Sequence, residues 1–200
     1  PFRLPDVRKI VGEATQKAAL RRENASLKAA LNQATAAPKI ISSNPELLAV
    51  VSTADGIAAT DCNVLIVGEA GTGRQTLARH IHEKSGRSGD FVAVDCGSLS
   101  EETLTAALFG QGGKPGALDA AADGTLFLDE IDATPASVQL RLQRLLQNGE
   151  FSRADGNEAL KATLRVIGAC GADLAALSES GQFRQDLYFR LAVVTLNLPP

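Results

Sequence analysis

Short apolar runs alternate with longer mixed stretches along most of the chain. Val64-Leu-Ile-Val67, Phe91-Val-Ala-Val94, Thr125-Leu-Phe-Leu128, Val166 to Ala169 and Val193 to Leu198 each read as a strand. Continuous apolar runs with helical stretches between them predict a five-stranded parallel sheet covered by helices on both faces. Asn44-Pro45 predicts a helix start, the helix running to about Thr60. A second helix is expected from Gly73 to Lys84. Between Gly149 and Leu164, Asp155-Gly156-Asn157 lies between polar alternating runs and predicts a surface hairpin.

The segment before this alternation is different. Phe2 to Leu31 is rich in Ala, Lys, Arg, Glu and Leu, and Leu20, Asn24, Leu27 and Leu31 follow a heptad seam. An Asn in such a seam can fix a parallel two-stranded register. A coiled-coil dimer is one expectation, and a single helix packed on its own domain is the other. Gln33 to Pro38 is an Ala-rich linker closed by proline. The expected boundary therefore separates residues 1–37 from an α/β domain over 38–200.

Composition narrows the classes. With 44% hydrophobic and 22% charged residues, the chain reads as an ordinary globular protein. Its net charge of −3 argues against wholesale coating of nucleic acid, which needs clustered Lys and Arg. Cys62, Cys96 and Cys170 are widely spaced and form no CxxC pair, so they read as small core residues in a reducing cytoplasm. No apolar run approaches the roughly 20 residues of a membrane span. The chain has no Met and opens on Pro-Phe, which reads as a piece of something longer.

The chemistry concentrates at two strand ends. Gly68-Glu69-Ala70-Gly71-Thr72-Gly73-Arg74 follows one strand and opens a helix. In that context glycines let backbone N–H groups turn toward an anion, and the helix N-terminus adds positive potential. The loop is therefore a candidate site for the phosphates of ATP or ADP, an empty glycine turn being the alternative. Arg74 stands where such loops carry lysine. Gln75 takes the place of the usual hydroxyl residue, and Thr76 comes one position later. A planar guanidinium is not a compact ammonium, so Arg74 is not expected in the lysine's bridging position. Asp129-Glu130 ends the strand Leu126-Phe127-Leu128 on the side of a parallel sheet where ligands collect. There Asp129 could hold the water shell of Mg²⁺ and Glu130 could orient an attacking water.

Together these residues resemble the central AAA+ ATPase domain of NtrC-type, sigma-54-dependent transcriptional activators, over essentially Pro38 to Pro200. Gly68-Glu-Ala-Gly-Thr-Gly-Arg74 is similar to the family's GESGTGK loop, and Gly124-Thr-Leu-Phe-Leu-Asp-Glu-Ile131 matches its GTLFLDEI Walker B segment. Gly181-Gln-Phe-Arg-Gln-Asp-Leu-Tyr-Phe-Arg-Leu191 resembles GRFREDLYYRL, the arginine-finger segment. The resemblance implies an AAA+ P-loop NTPase fold that binds ATP or ADP with Mg²⁺ and self-associates, as a dimer through the linker or as a ring. It also implies that Arg184 and Arg190 reach a neighbouring subunit's nucleotide. Surface arginines bridged to acids such as Asp186 are the alternative. Pro1-Phe2 resembles the end of a receiver domain. That places the chain in the middle of a response regulator whose other parts meet a sensor kinase and DNA.

The departures from this pattern matter as much. Family members carry the sigma-54-contacting GAFTGA loop soon after the segment matching Leu108-Phe109-Gly110. Here only Gln111-Gly112-Gly113 precede Lys114-Pro115-Gly116. The family's sensor Asn corresponds to Gly171, and the Asn that holds the Walker B Glu corresponds to Asp95, whose carboxylate would repel Glu130. Loss of the contact loop also resembles NtrX-type regulators. With Arg74, these changes predict slow or absent hydrolysis in a module that binds nucleotide without remodelling sigma-54 polymerase. The competing expectation is a working ATPase activator using Glu130, Arg184 and Arg190.

Overall fold

In the computed structural model, residues 40–200 are described, Asn157 excepted. The heptad seam and linker of residues 1–37 lie outside the described residues. The helix after Asn44 is α1 (Pro45–Ala58), with Asn44 Oδ1 accepting from Glu46 N at 2.8 Å. Next come β1 (Val64–Val67), α2 (Arg74–Ser85), β2 (Phe91–Asp95), α3 (Glu101–Phe109), α4 (Ala117–Ala120) and β3 (Thr125–Asp129). A short 3₁₀ turn, Ile131–Ala133, leads to α5 (Ala136–Asn148) and the strands β4 (Glu150–Phe151) and β5 (Leu160–Lys161). The chain closes with β6 (Arg165–Cys170), α6 (Leu174–Glu179), α7 (Gln185–Leu191) and β7 (Val194–Asn197).

The five predicted strands form one sheet in the order β2-β3-β6-β1-β7, every neighbouring pair parallel. Side chains on a strand alternate between faces, and the core divides accordingly. Val64, Ile66, Phe127, Ile167 and Leu196 share a cluster with Ala54, Leu77, Ala78 and Ile81 of α1 and α2. Leu65, Leu126, Leu128 and Val166 belong to the other cluster, with Leu104 and Leu108 of α3 and Leu142 and Leu145 of α5. Burying each such side chain contributes about 1.5–3 kcal/mol.

The pattern predicted no element for α3 to α7. In α5 the signal was present: Val138, Leu142 and Leu145 recur at helical spacing and are buried. The hairpin forms as β4–β5, but it is not purely a surface feature. Phe151 is buried in the core beneath it.

One buried charge holds the base of the sheet. Arg165, at the start of β6, is 0% exposed. Its Nη1 and Nη2 donate to the carbonyls of Ala58 and Ile57 at 2.9 and 3.2 Å, and its Nε donates to Cys62 O at 2.9 Å. The guanidinium thus takes up carbonyls at the C-terminus of α1, where positive charge is favoured. Burial pulls its pKa downward.

Of the cysteines, Cys96 and Cys170 are buried and Cys62 is partly exposed. Burial pushes the thiols of Cys96 and Cys170 up to about 12. Two outcomes follow. Arg165→Leu leaves the carbonyls of Ile57, Ala58 and Cys62 without their donor and should cost about 3–5 kcal/mol in urea unfolding. At pH 8 a thiol reagent should modify Cys62 in the folded protein and reach Cys96 and Cys170 only after denaturation, as read by mass spectrometry.

Candidate functional site

β1 ends at Val67 and the chain turns through Gly68 to Gly73 into α2. Gly71 and Gly73 have φ of 89° and 94°, a region that side chains with a Cβ rarely adopt, and Gly73 directly precedes the helix. Glu69, Ala70 and Gly71 are exposed, while Thr72 Oγ1 donates to Glu69 O at 2.8 Å and closes the turn. Gly68 is small for a different reason. A Cβ there would lie 2.8 Å from Thr72 Oγ1 and 2.9 Å from Leu198 Cβ. The first-turn N–H groups of α2 have no partner within the helix, so the loop and helix end together suit an anion.

Arg74 is 7% exposed. Its Nη1 donates to Gly68 O at 3.2 Å, and its Nη2 is 3.1 Å from Asp129 Oδ1. The side chain therefore runs from the loop after β1 to the end of β3. Since β6 lies between β1 and β3, the guanidinium passes over the residue that follows β6. That residue is Gly171. A Cβ there would meet Arg74 Nη1 at 3.5 Å and Gly68 O at 3.7 Å. Gln75 is exposed and Thr76 half-buried.

Glu130 is exposed and has φ of 50°, a left-handed conformation costing roughly 1–2 kcal/mol for a residue with a side chain. Its carboxylate lies over Gly97, where a Cβ would come within 1.9 Å of Oε2. Asp95 directs Oδ1 into its own loop, accepting from Gly97 N at 3.0 Å and Ser98 N at 3.2 Å. These backbone donors take up its charge. Asp95, Gly97 and Glu130 thus form one corner, and sequence reasoning missed Gly97.

Arg184 precedes α7 as its N-cap and is not on the helix surface. Its Nε and Nη2 bond both carboxylate oxygens of Asp186, at 3.0 and 2.7 Å, and this contact draws the Asp186 pKa down. The buried Gln139, absent from the sequence expectations, accepts from Arg184 N at 2.8 Å and fixes where α7 begins. Arg190 is half-buried and lies one turn further on. Its guanidinium forms no ion pair among the described residues.

The short segment after α3 is a tight turn. Gln111 and Lys114 form an antiparallel bridge, with Gly112 and Gly113 between them at φ of 61° and 76°. Two successive left-handed residues give the type I′ geometry that suits a two-residue hairpin. Gly112 N donates to Asp155 Oδ2 at 2.8 Å, and Ala154 N to Gly110 O at 2.9 Å. Arg153 donates to Phe109 O at 3.3 Å and forms a bidentate pair with Asp119, whose pKa its hydrogen bonds lower. The turn is latched to the β4–β5 hairpin.

The Sigma-54 interaction domain family matches residues 40–197. The chain belongs to this family. It is 37% identical over 210 aligned residues to Regulatory protein AtoC of Escherichia coli, covering 100% of the chain and 46% of AtoC. It is 43% identical over 167 residues to the Sigma54-dependent transcriptional activator SfnR of Pseudomonas putida, covering 78% and 46%. The chain thus spans just under half the length of these relatives. Among solved structures it resembles NtrX from Brucella abortus in complex with ATP, at TM-score 0.78 and 30% identity, covering 100% of this chain and 43% of that one. The complex with ADP gives 0.77 and 29%, with the same coverage. The P-loop NTPase domain of an E. coli sigma-54 transport activator, at TM-score 0.57 and 24% identity over 80% of this chain and 99% of that one, shares the fold. The AAA+ P-loop architecture expected from the sequence is the one found.

Two loop glycines should fail for different reasons. Gly68→Ala overpacks against Thr72 and Leu198 and should cost about 1–3 kcal/mol. Gly71→Ala meets no atom within 4 Å, so its loss of about 1–2 kcal/mol comes from backbone strain alone. Urea midpoints of both variants, with Leu198→Gly added to each to remove the crowding Cβ, distinguish the causes. The second change should reduce the cost of Gly68→Ala and leave that of Gly71→Ala unchanged.

Proposed function

We propose that residues 38–200 form a nucleotide-binding regulatory module of a two-component transcriptional regulator, one that binds ATP or ADP and self-associates but hydrolyses ATP weakly or not at all. Residues Gly68 to Thr76 hold the phosphates, through backbone N–H groups at the start of α2. The observation that carries the reading is Arg74. Its guanidinium is tied to Gly68 O and Asp129, so it does not supply the compact ammonium that bridges the outer phosphates. Gly171 offers no side chain to position a water. Most of the catalysis in phosphoryl transfer comes from placed charges and donors, so displacing them slows the reaction.

Loss of sigma-54 remodelling rests on the turn at Gln111 to Lys114. The alignment with AtoC is 210 positions long against 200 residues here, so at least ten of its positions have no counterpart in this chain. The latched I′ turn leaves no extended loop between Gly110 and Lys114. Self-association is supported by Phe189, 65% exposed beside Arg190, and by Val193, 57% exposed. In the parent protein, residues 1–37 would then be the receiver end and a dimerising linker, with DNA binding supplied elsewhere.

A working ATPase is the second reading. Glu130, exposed and held in a strained backbone near the loop, favours it, with Arg184 and Arg190 as fingers acting in trans. Calorimetric titration with ATP in Mg²⁺ buffer, with phosphate release followed in parallel, separates the two. Binding without release is expected. Release that rises with protein concentration would establish the ATPase instead. Arg74→Lys with Gly171→Asn should raise phosphate release. An unchanged rate would show that these two residues are not the cause of the loss.

A further inference from the structure

Asp129 is where Mg²⁺ would be expected, yet the donors around it do not suit a divalent ion. Its Oδ1 is paired with Arg74 Nη2 at 3.1 Å, with side-chain exposures of 27% and 8%. The position after Arg74, where a hydroxyl ligand belongs, is the exposed Gln75. Glu130 turns away over Gly97. Magnesium takes near-octahedral oxygen ligands and is held through one or two carboxylates plus phosphates. Here Oδ1 of the carboxylate already accepts from Glu130 N at 3.0 Å and faces a fixed cation.

That cation is placed by three features at once. Gly68 O anchors one side of the guanidinium, Asp129 takes another, and Gly171 leaves space above the end of β6 for the side chain to cross. A guanidinium has five N–H donors, and these two contacts engage one nitrogen each. No further hydrogen bond of Arg74 is formed among the described residues, which leaves its other N–H groups for a bound phosphate. Guanidinium is also the group best matched to phosphate in a planar, two-point contact.

We propose that Arg74 is a built-in cation joining Asp129 to the phosphates of a bound nucleoside di- or triphosphate, so that the site takes its ligand without a divalent metal. This rests on the nucleotide-binding reading above and adds how the phosphate charge is met. Arg74 and Gly171 then belong together. The longer cation replaces the metal, and its path over β6 tolerates a Cβ at position 171, which would lie 3.5 Å from Nη1, but not a side chain reaching further. A longer side chain at position 171 would compete with Arg74 for Gly68 O.

The test is ADP binding to the whole 200-residue chain by calorimetry, once in excess Mg²⁺ and once in excess EDTA. The two dissociation constants should agree within about threefold. Tighter binding in Mg²⁺ by more than that overturns the proposal while leaving nucleotide binding intact. Absence of binding in both buffers overturns the nucleotide reading itself, and the proposal with it. Arg74→Lys supplies the opposite arm. The shorter ammonium cannot hold Gly68 O and Asp129 together, so Asp129 is released and binding should become at least about tenfold tighter in Mg²⁺ than in EDTA. If Arg74→Lys binds ADP equally in both buffers, Arg74 is not what removes the need for metal.

Discussion

Two strand spacings, together about 10 Å, separate β1 from β3, and one side chain crosses them. The crossing runs over the end of β6, which lies between the two strands and is followed by Gly171. Topology alone would leave the phosphate loop and Asp129 as neighbours across a gap. Arg74 turns that gap into a contact. The pair is largely withdrawn from water on the Arg74 side, where a lone cation would be costly, so the carboxylate and the Gly68 carbonyl are conditions for placing arginine there at all. On the proposed reading, Arg74, Gly171 and Gln75, which look like separate losses in the sequence, belong to one arrangement at the ends of β1, β6 and β3.

A second arrangement sits at the far side of the sheet. The turn after α3 is fixed by Asp155, Arg153 and Ala154 from the β4–β5 hairpin, and Arg153 is itself fixed by Asp119. Each contact is modest, since Arg153 and Asp119 are partly exposed and solvent screens their pairing. Together they join two loops that topology leaves independent. The hairpin is held from below as well, by Phe151 in the core.

Much of this was legible in the sequence, for physical reasons that differ by element. The sheet was readable because buried parallel strands need continuous apolar runs, and Val64-Leu-Ile-Val67 or Thr125-Leu-Phe-Leu128 admits little else. The phosphate loop was readable because its glycines are imposed by backbone geometry. Arg165 was not readable: a charged residue opening a strand looks solvent-exposed until α1's carbonyls come down on it. Gly97 was missed because its reason is the side chain of Glu130, a contact between the ends of adjacent strands that no local pattern encodes. Asp95 was identified as a position that matters, but its carboxylate accepts from the N–H groups of its own loop, which spacing alone does not reveal. For Arg184 the sequence left two readings open, and in this single chain the guanidinium is on Asp186.

A ligand shifts a conformational equilibrium only by the difference between its affinities for the two states. In a nucleotide-driven motor that difference arises at the phosphate loop and must move something distant. On the proposed reading, neither end of this domain has slack for that. At the loop, Arg74 already holds β1's turn to β3, so a phosphate arriving there meets an arrangement that exists without it. At the other end, the segment after α3 is a closed turn tied to a hairpin anchored by Phe151. Binding can then stabilise the domain by mass action, which needs only that the folded state bind and the unfolded state not. Stabilisation of that kind can secure an interface near Phe189 and Val193 without turnover. The strained Glu130 does not contradict this. Its backbone is fixed by the turn leaving β3 and its side chain by Gly97, so the geometry persists whether or not a water is ever activated beside it.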